Sequence, residues 1–119
     1  MIEASCHCGT AKLAVARAPR SLTDCNCSIC RRYSALWAYY PASDVRLLYR
    51  KCDVEAYTWG DRSLRFVRCR KCGCVLHHER AKKARSTTIG VNARNLDPAV
   101  VAKLRIRRLD GAATWKYLD

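Results

Sequence analysis

The placement of the nine cysteines constrains this chain more than any other feature of its sequence. Seven of them fall into three short groups, "CHCG", "CNCSIC" and "CRKCG". The groups hold Cys6 and Cys8, then Cys25, Cys27 and Cys30, then Cys69 and Cys72. Thiols grouped at such spacings are typical of metal ligands in proteins whose cysteines stay reduced. A chain of 119 residues is near the size at which a domain benefits from such a cross-link. We therefore expect residues 1–119 to form one metal-stapled domain.

The first and last groups can complete one site. Side chains alternate along extended backbone, so both sulfurs of a Cys-x-Cys pair point to the same face. A Cys-x-x-Cys-Gly segment forms a turn that directs two sulfurs inward, and its glycine is free to take a positive φ. Four thiolates fill a tetrahedral zinc site. The sequence therefore predicts a closed structural site made of Cys6, Cys8, Cys69 and Cys72, with disulfides or independent buried thiols as the alternatives.

The middle group offers three thiolates, from Cys25, Cys27 and Cys30. Three protein ligands and one open position are typical of catalytic zinc. A fourth protein ligand would close the site and favour a structural or binding role, and its candidates are His77, His78 and Cys74. Consecutive strand positions face opposite sides, so at most one of the two histidines can approach this metal. We predict two zinc ions, one structural and one catalytic.

The rest of the chain is predicted to be mostly β-structure. Alternating or β-prone runs between turn signals indicate strands at "TAKLAVA", "LWAYYP", "VRLLY", "VEAYTW", "SLRFVRC" and "TTIGV". One short helix is predicted near residues 97–104, where Asp97 can cap the first turn and Pro98 suits its first position. After it, "LRIRRL" and "TWKYL" flank an Asp110-Gly111 turn and predict a hairpin. The predicted fold class is mainly β, with small antiparallel sheets.

Charge and hydropathy make some kinds of partner less favoured than others. The formal net charge is +13, but the arginines are spread along the chain, which does not favour a nucleic-acid surface. No apolar run approaches the roughly 20 residues of a membrane span. The N-terminal stretch has no apolar segment of the kind found in secretory signals. We expect a cytoplasmic protein with no membrane and no nucleic-acid partner, and the sequence gives no indication of oligomeric state.

The cysteine pattern, "CHCG", then "CNCSICRR", then "CRKCG", resembles that of the glutathione-dependent formaldehyde-activating family, also called S-(hydroxymethyl)glutathione synthase and related to centromere protein V. The resemblance extends from Cys6 to the "NARNLDP" segment. It implies a β-tent fold, in which the first and last pairs hold a structural zinc and the middle triplet holds a catalytic zinc. It also implies a carbon–sulfur lyase of formaldehyde detoxification that joins formaldehyde to glutathione. Tyr33-Ser34-Ala35 departs from the family pattern, which has a glycine-alanine pair there. This difference affects the expected substrate more than the expected zinc site.

The resemblance suggests a mechanism. The sulfur of glutathione would occupy the open zinc position as a thiolate and attack the formaldehyde carbon. Arg31 and Arg32 follow the ligands and are candidates for binding the glutathione carboxylates. Trp37 is a candidate wall of the substrate pocket. Two alternatives remain: a related enzyme acting on another thiol or aldehyde adduct, and a non-catalytic zinc-stapled binding module.

Overall fold

A computed structural model describes residues 1–81 and 87–119. These residues form two β-sheets and two single-turn helices. The strands are β1 (Ile2–Ser5), β2 (Lys12–Val15), β3 (Ser21–Cys25), β4 (Trp37–Pro41), β5 (Val45–Leu48), β6 (Val54–Tyr57), β7 (Leu64–Cys69), β8 (Val75–Arg80), β9 (Thr88–Asn92) and β10 (Arg105–Leu109). The helices are α1 (Cys30–Tyr33) and α2 (Pro98–Val101), and short 3₁₀ turns cover Ala42–Asp44, Lys51–Asp53 and Ala93–Asn95. The predicted mainly β fold class, of the β-tent type, is confirmed.

The two sheets differ in size. One has three antiparallel strands in the order β1-β2-β5, and the other has seven in the order β10-β3-β4-β9-β8-β7-β6. Among the described strands, every pairing is antiparallel except that of β10 with β3, which is parallel and sets Leu109 opposite Cys25. The sequence did not indicate this pairing, because its strands lie far apart in the chain. Its consequence is that the C-terminal residues lie beside the middle cysteine group.

The helical segments differ from the prediction in length and number. The helix near residues 97–104 is present, but α2 covers only Pro98–Val101. The residues after it form a turn in which the Leu104 amide donates to the carbonyl of Val101. Asp97 caps α2 as predicted, since its carboxylate accepts a hydrogen bond from the Ala99 amide at 2.9 Å. The turn α1 was not predicted. It is too short to carry helical periodicity, and Ser34 ends it with a φ of 52°.

The predicted C-terminal hairpin forms only in part. The chain turns back after Asp110, whose amide donates to the carbonyl of Lys116, and the Leu118 amide donates to Arg108. The returning segment makes one bridge, between Leu109 and Tyr117, and no strand. Residues 110–116 form a wide turn instead of a tight one.

The main core lies between the two sheets. Leu13 of the small sheet belongs to the same buried cluster as Leu76 and Val91 of the large sheet. Burial of each such side chain contributes roughly 1.5–3 kcal/mol. A second buried cluster includes Cys25, Cys30, Trp37 and Phe66, and it packs around the middle cysteine group. In the part of the chain that the structure describes, no helix is long and apolar enough to cross a membrane.

Candidate metal sites and active-site cavity

The first and last cysteine groups come together at one four-thiol cluster. The sulfurs of Cys6, Cys8, Cys69 and Cys72 lie within 4.8 Å of one another. The Sγ of Cys8 is 3.7 Å from that of Cys6 and 3.6 Å from that of Cys69. Zinc–sulfur bonds of about 2.3 Å place tetrahedral sulfurs about 3.8 Å apart, whereas a disulfide needs about 2.05 Å. The cluster therefore fits a four-thiolate metal site, and these cysteines are free thiols.

Tight turns hold the two halves of this cluster. Gly73 follows Cys72 with a φ of 78°, and its amide donates to the carbonyl of Cys69 at 2.9 Å. That is the positive φ expected after the second ligand of a Cys-x-x-Cys-Gly turn. On the N-terminal side, the Ala11 amide donates to the Sγ of Cys6 at 3.3 Å. The Ala11 amide thus orients the Cys6 sulfur, and the Gly73 amide closes the turn that carries Cys69 and Cys72.

The middle group forms a cluster of three thiols. Cys25 ends β3 and Cys30 begins α1, so the strand end and the helical turn bring both sulfurs to that of Cys27. The three sulfurs lie within 4.8 Å of one another. Within residues 1–81 and 87–119, no fourth histidine, cysteine or carboxylate atom joins them at that distance. Such a donor set fits a metal with one position left for another ligand.

The three candidate fourth ligands lie elsewhere or serve another contact. His77 is fully buried and its Nε2 lies 2.8 Å from the hydroxyl of Tyr49. Cys74 lies on the turn of the four-thiol cluster, where its carbonyl accepts from the Cys69 amide. His78 alone reaches the cavity above the three thiols, and it does not join the ligand group.

Neighbouring N–H groups stabilise sulfur charge in the three-thiol cluster. The indole Nε1 of Trp37 donates to the Sγ of Cys30 at 3.3 Å, and the Cys30 amide donates to the Sγ of Cys27 at 3.4 Å. Hydrogen bonds lower the pKa of Cys25 to about 6, and the bond with the Cys30 side chain has the largest effect. The same contact raises the pKa of Cys30. Without a metal, the cluster thus favours a thiolate at Cys25 and a protonated thiol at Cys30.

A cavity of about 610 Å³ opens over the three thiols. Two turns form much of its wall, one from Trp59 to Ser63 and one from Leu109 to Trp115. The lining residues are Cys25, Cys27, Ser28, Ile29, Cys30, Tyr39, Trp59, Gly60, Asp61, Ser63, Leu64, Phe66, His78, Leu109, Gly111, Ala112 and Trp115. The volume suits a small-molecule ligand.

His78 gives this cavity a neutral polar group. Its ring makes an edge contact with Trp37, with centroids 4.6 Å apart, and lies across β9 at Gly90. A methyl group at Gly90 would meet its Nε2 at 2.2 Å, so only glycine leaves room for the ring. Burial lowers the pKa of His78 to about 4, which keeps the imidazole uncharged at neutral pH.

Two further residues of the site were not found from the sequence. Asn26 holds the C-terminal turn over the thiols: its amide donates to Asp110 at 3.1 Å, and its oxygen accepts from the Ala112 amide at 2.9 Å. Gly111 lies directly against Cys25. The Asp-Gly turn was visible in the sequence, but its position depends on the parallel pairing of β10 with β3.

The three predicted substrate-binding residues lie outside the cavity wall. Arg31 and Arg32 are exposed, and Arg32 donates to the carbonyl of Ser28 at 2.7 Å. Their contact with substrate stays a prediction. Trp37 is only 1% exposed and contacts a ligand sulfur instead of lining the pocket.

The fold and the two clusters define a class of protein: a small mainly β domain with one closed thiol cluster and one open cluster beneath a cavity. Residues 1–107 match the profile of the glutathione-dependent formaldehyde-activating enzyme family. The chain belongs to this family, as its cysteine pattern predicted. The family implies an enzyme-like role in formaldehyde activation, with glutathione and formaldehyde as small-molecule partners.

A solved structure shares the fold. It is the crystal structure of a Rhodobacter sphaeroides protein determined as a structural genomics target, with a TM-score of 0.71 and 27% sequence identity. The alignment covers 88% of this chain and 99% of that one. The similarity therefore extends over nearly the whole of the Rhodobacter protein.

Proposed function

We propose that this chain is a zinc-dependent carbon–sulfur lyase that joins formaldehyde to a small thiol, glutathione being the thiol that the family implies. The observation that carries the proposal is the open cluster of Cys25, Cys27 and Cys30 at the base of a ligand-sized cavity. In the reaction, the thiol sulfur bonds to the formaldehyde carbon and the thiol proton is transferred to the formaldehyde oxygen. The product is an S-hydroxymethyl thioether, and no oxidant or reductant is needed.

The three thiolates of the open cluster would hold the zinc. When bound there, zinc supplies a Lewis-acid position that favours the thiolate form of a substrate near neutral pH. The N–H groups of Trp37 and Cys30 fix the orientation of the ligand sulfurs. Phe66 and Leu64 give the cavity wall an apolar surface beside the thiols. His78 adds a polar group without adding charge.

A second zinc on Cys6, Cys8, Cys69 and Cys72 would be structural. It would join the end of β1 to the turn between β7 and β8, and so close a long loop in a single domain of residues 1–119. All nine cysteines are free, which agrees with a reducing compartment such as the cytoplasm.

The test is the rate of formaldehyde–glutathione exchange at equilibrium, followed by NMR, because the two reagents combine without a catalyst. The zinc-loaded protein is compared with its Cys27→Ser variant and with buffer. Cys52→Ser is the matched control, since Cys52 is exposed and belongs to neither cluster. We expect exchange above the buffer rate in the parent and in Cys52→Ser only. Exchange at the buffer rate with every thiol tried would instead favour a zinc-stapled binding module.

A further inference from the structure

Part of the cavity wall lies outside the region that matches the family profile. The family match ends at residue 107. Four lining residues come after it, namely Leu109, Gly111, Ala112 and Trp115. The thiol ligands therefore belong to the shared region, while one side of the substrate space is built by a segment beyond it. The chemistry of that segment bears on which thiol this chain accepts.

Two exposed tryptophans stand in the cavity wall, one in each of its turns. Trp59 is 45% exposed and Trp115 is 68% exposed. Both are held by turn hydrogen bonds: the Arg62 amide donates to the carbonyl of Trp59 at 2.9 Å, and the Trp115 amide donates to that of Asp110 at 2.7 Å. Large aromatic rings held at the wall of an open cavity are a usual means of binding an apolar group.

Much of the remaining wall is also apolar. Beside the two tryptophans it presents the side chains of Ile29, Tyr39, Leu64, Phe66 and Leu109. The chain has 23 lysines and arginines, yet among the lining residues that the structure describes the only charged side chain is that of Asp61. Glutathione would bring two carboxylates to this surface, and a carboxylate that loses water without gaining a cation is strongly disfavoured.

We infer that the preferred thiol of this chain carries an uncharged apolar group, aromatic or branched aliphatic, which packs against Trp59 and Trp115. The inference rests on the proposed function, because it names the thiol for the same carbon–sulfur reaction. The sulfur of this thiol forms the bond to formaldehyde, the carbonyl π bond breaks, and the thiol proton is transferred to oxygen. This chain would then carry out the carbon–sulfur reaction of the family on a thiol other than glutathione.

The experiment measures formaldehyde exchange by NMR with benzyl mercaptan, 2-mercaptoethanol and glutathione, each rate divided by its rate in buffer. In the zinc-loaded parent we expect kcat/KM for benzyl mercaptan to exceed that for glutathione by about tenfold or more. Trp59→Ala and Trp115→Ala should each lower the ratio of benzyl mercaptan to 2-mercaptoethanol by about tenfold. Tyr57→Ala is the matched control, since Tyr57 is an exposed aromatic residue outside the cavity wall.

A binding measurement supplies a readout that does not depend on turnover. Benzyl methyl sulfide has no thiol to react, and it should shift the indole N–H signals of Trp59 and Trp115 in a two-dimensional NMR spectrum. Those signals are assigned from Trp59→Phe and Trp115→Phe.

The two proposals fail in different ways. Faster exchange with glutathione than with benzyl mercaptan, together with ratios that neither alanine variant changes, would overturn the inference and leave the proposed function standing. Exchange at the buffer rate with all three thiols would overturn both.

Discussion

Gly111 lies so close to Cys25 that a methyl group added at position 111 would meet the Cys25 Sγ at 2.4 Å and the Cys27 Cβ at 3.2 Å. The contact joins the C-terminal turn to the three-thiol cluster. It exists because β10 runs parallel to β3 and sets Leu109 opposite Cys25. The Cys25 sulfur can therefore keep its position only because residue 111 has no side chain.

Gly111→Ala should disrupt the open cluster and leave the fold intact. The new methyl group must displace either the Cys25 sulfur or the turn, since a contact of 2.4 Å is not tolerated. We expect the zinc content to fall from about two ions per chain to about one, as only the four-thiol site stays intact. Mass-spectrometric metal analysis measures this, and Ala113→Ser, an exposed position of the same turn, is the control. Full zinc content in Gly111→Ala would show that the contact does not constrain the site.

Trp37→Phe should weaken the metal at the open cluster. The substitution keeps an aromatic ring but removes the N–H that donates to the Cys30 sulfur at 3.3 Å. Loss of such an outer contact typically costs about ten- to a hundredfold in metal affinity. Competition with a chromogenic chelator measures the affinity, and Trp59→Phe, whose indole bonds to no cysteine among the described residues, serves for comparison. Equal affinities in the two variants would refute a role for the Trp37 N–H.

Cys69→Ser should lower the unfolding temperature of the whole domain more than Cys27→Ser does. Cys69 is buried and belongs to the four-thiol cluster that joins β1 to the β7–β8 turn. Metal binding at such a site contributes directly to folding free energy, so losing one ligand should lower the unfolding temperature sharply. Calorimetry on Cys69→Ser, Cys27→Ser and the exposed control Cys52→Ser gives the comparison. An unfolding temperature for Cys69→Ser close to that of Cys52→Ser would argue against a structural metal.

Asn26→Ala should loosen the C-terminal turn over the cavity. The change removes hydrogen bonds to Asp110 and Ala112, each worth roughly 0.5–1.5 kcal/mol. Hydrogen exchange at the Ala112 amide should then accelerate by about tenfold, because a loss of 1.4 kcal/mol in protection corresponds to that factor. Asp24→Ala changes an exposed neighbour on β3 and should leave that amide unaffected. Unchanged exchange in Asn26→Ala would mean that other contacts hold the turn.

The protein should lose stability in mild acid through His77. Burial lowers the pKa of His77 to about 4 in the folded state, below the ordinary value of about 6.5. Between these two values the unfolded chain binds the proton that the folded chain excludes. Through His77 alone, the unfolding free energy therefore falls by up to about 1.4 kcal/mol for each unit by which the pH drops, or on the order of 3 kcal/mol in total. His78, whose pKa burial also lowers to about 4, adds a loss of the same sign.

Urea unfolding from pH 7 to pH 5 tests this, at zinc contents checked to be constant. His77→Gln keeps a polar group near Tyr49 and removes the titration, so its stability should vary less with pH than that of the parent. His7→Gln changes an exposed histidine and is the control. Parallel pH profiles for the parent and His77→Gln would contradict the prediction.

Much of the fold and of the two thiol clusters could be predicted from local sequence. Cys-x-Cys and Cys-x-x-Cys-Gly fix where sulfurs point over a few residues, so the ligand groups follow from spacing alone. Short alternating runs likewise predicted most of the strands, because apolar and polar residues alternate along a strand that is buried on one face. The helical turn at Cys30–Tyr33 could not be predicted in this way, because four residues are too few to show a helical period.

The substrate side of the site required the tertiary structure. The pairing of β10 with β3, which lie far apart in the sequence, brings Gly111 and Trp115 to the thiols. Asn26 lies between two of the cysteines, but its contacts with Asp110 and Ala112 depend on the same pairing. The sequence by itself determined the mainly β class, the family and the three short cysteine groups, because these depend on local spacing and side-chain alternation. The tertiary structure alone decided which side chains surround the thiols, because the cavity wall is assembled from contacts between segments distant in sequence.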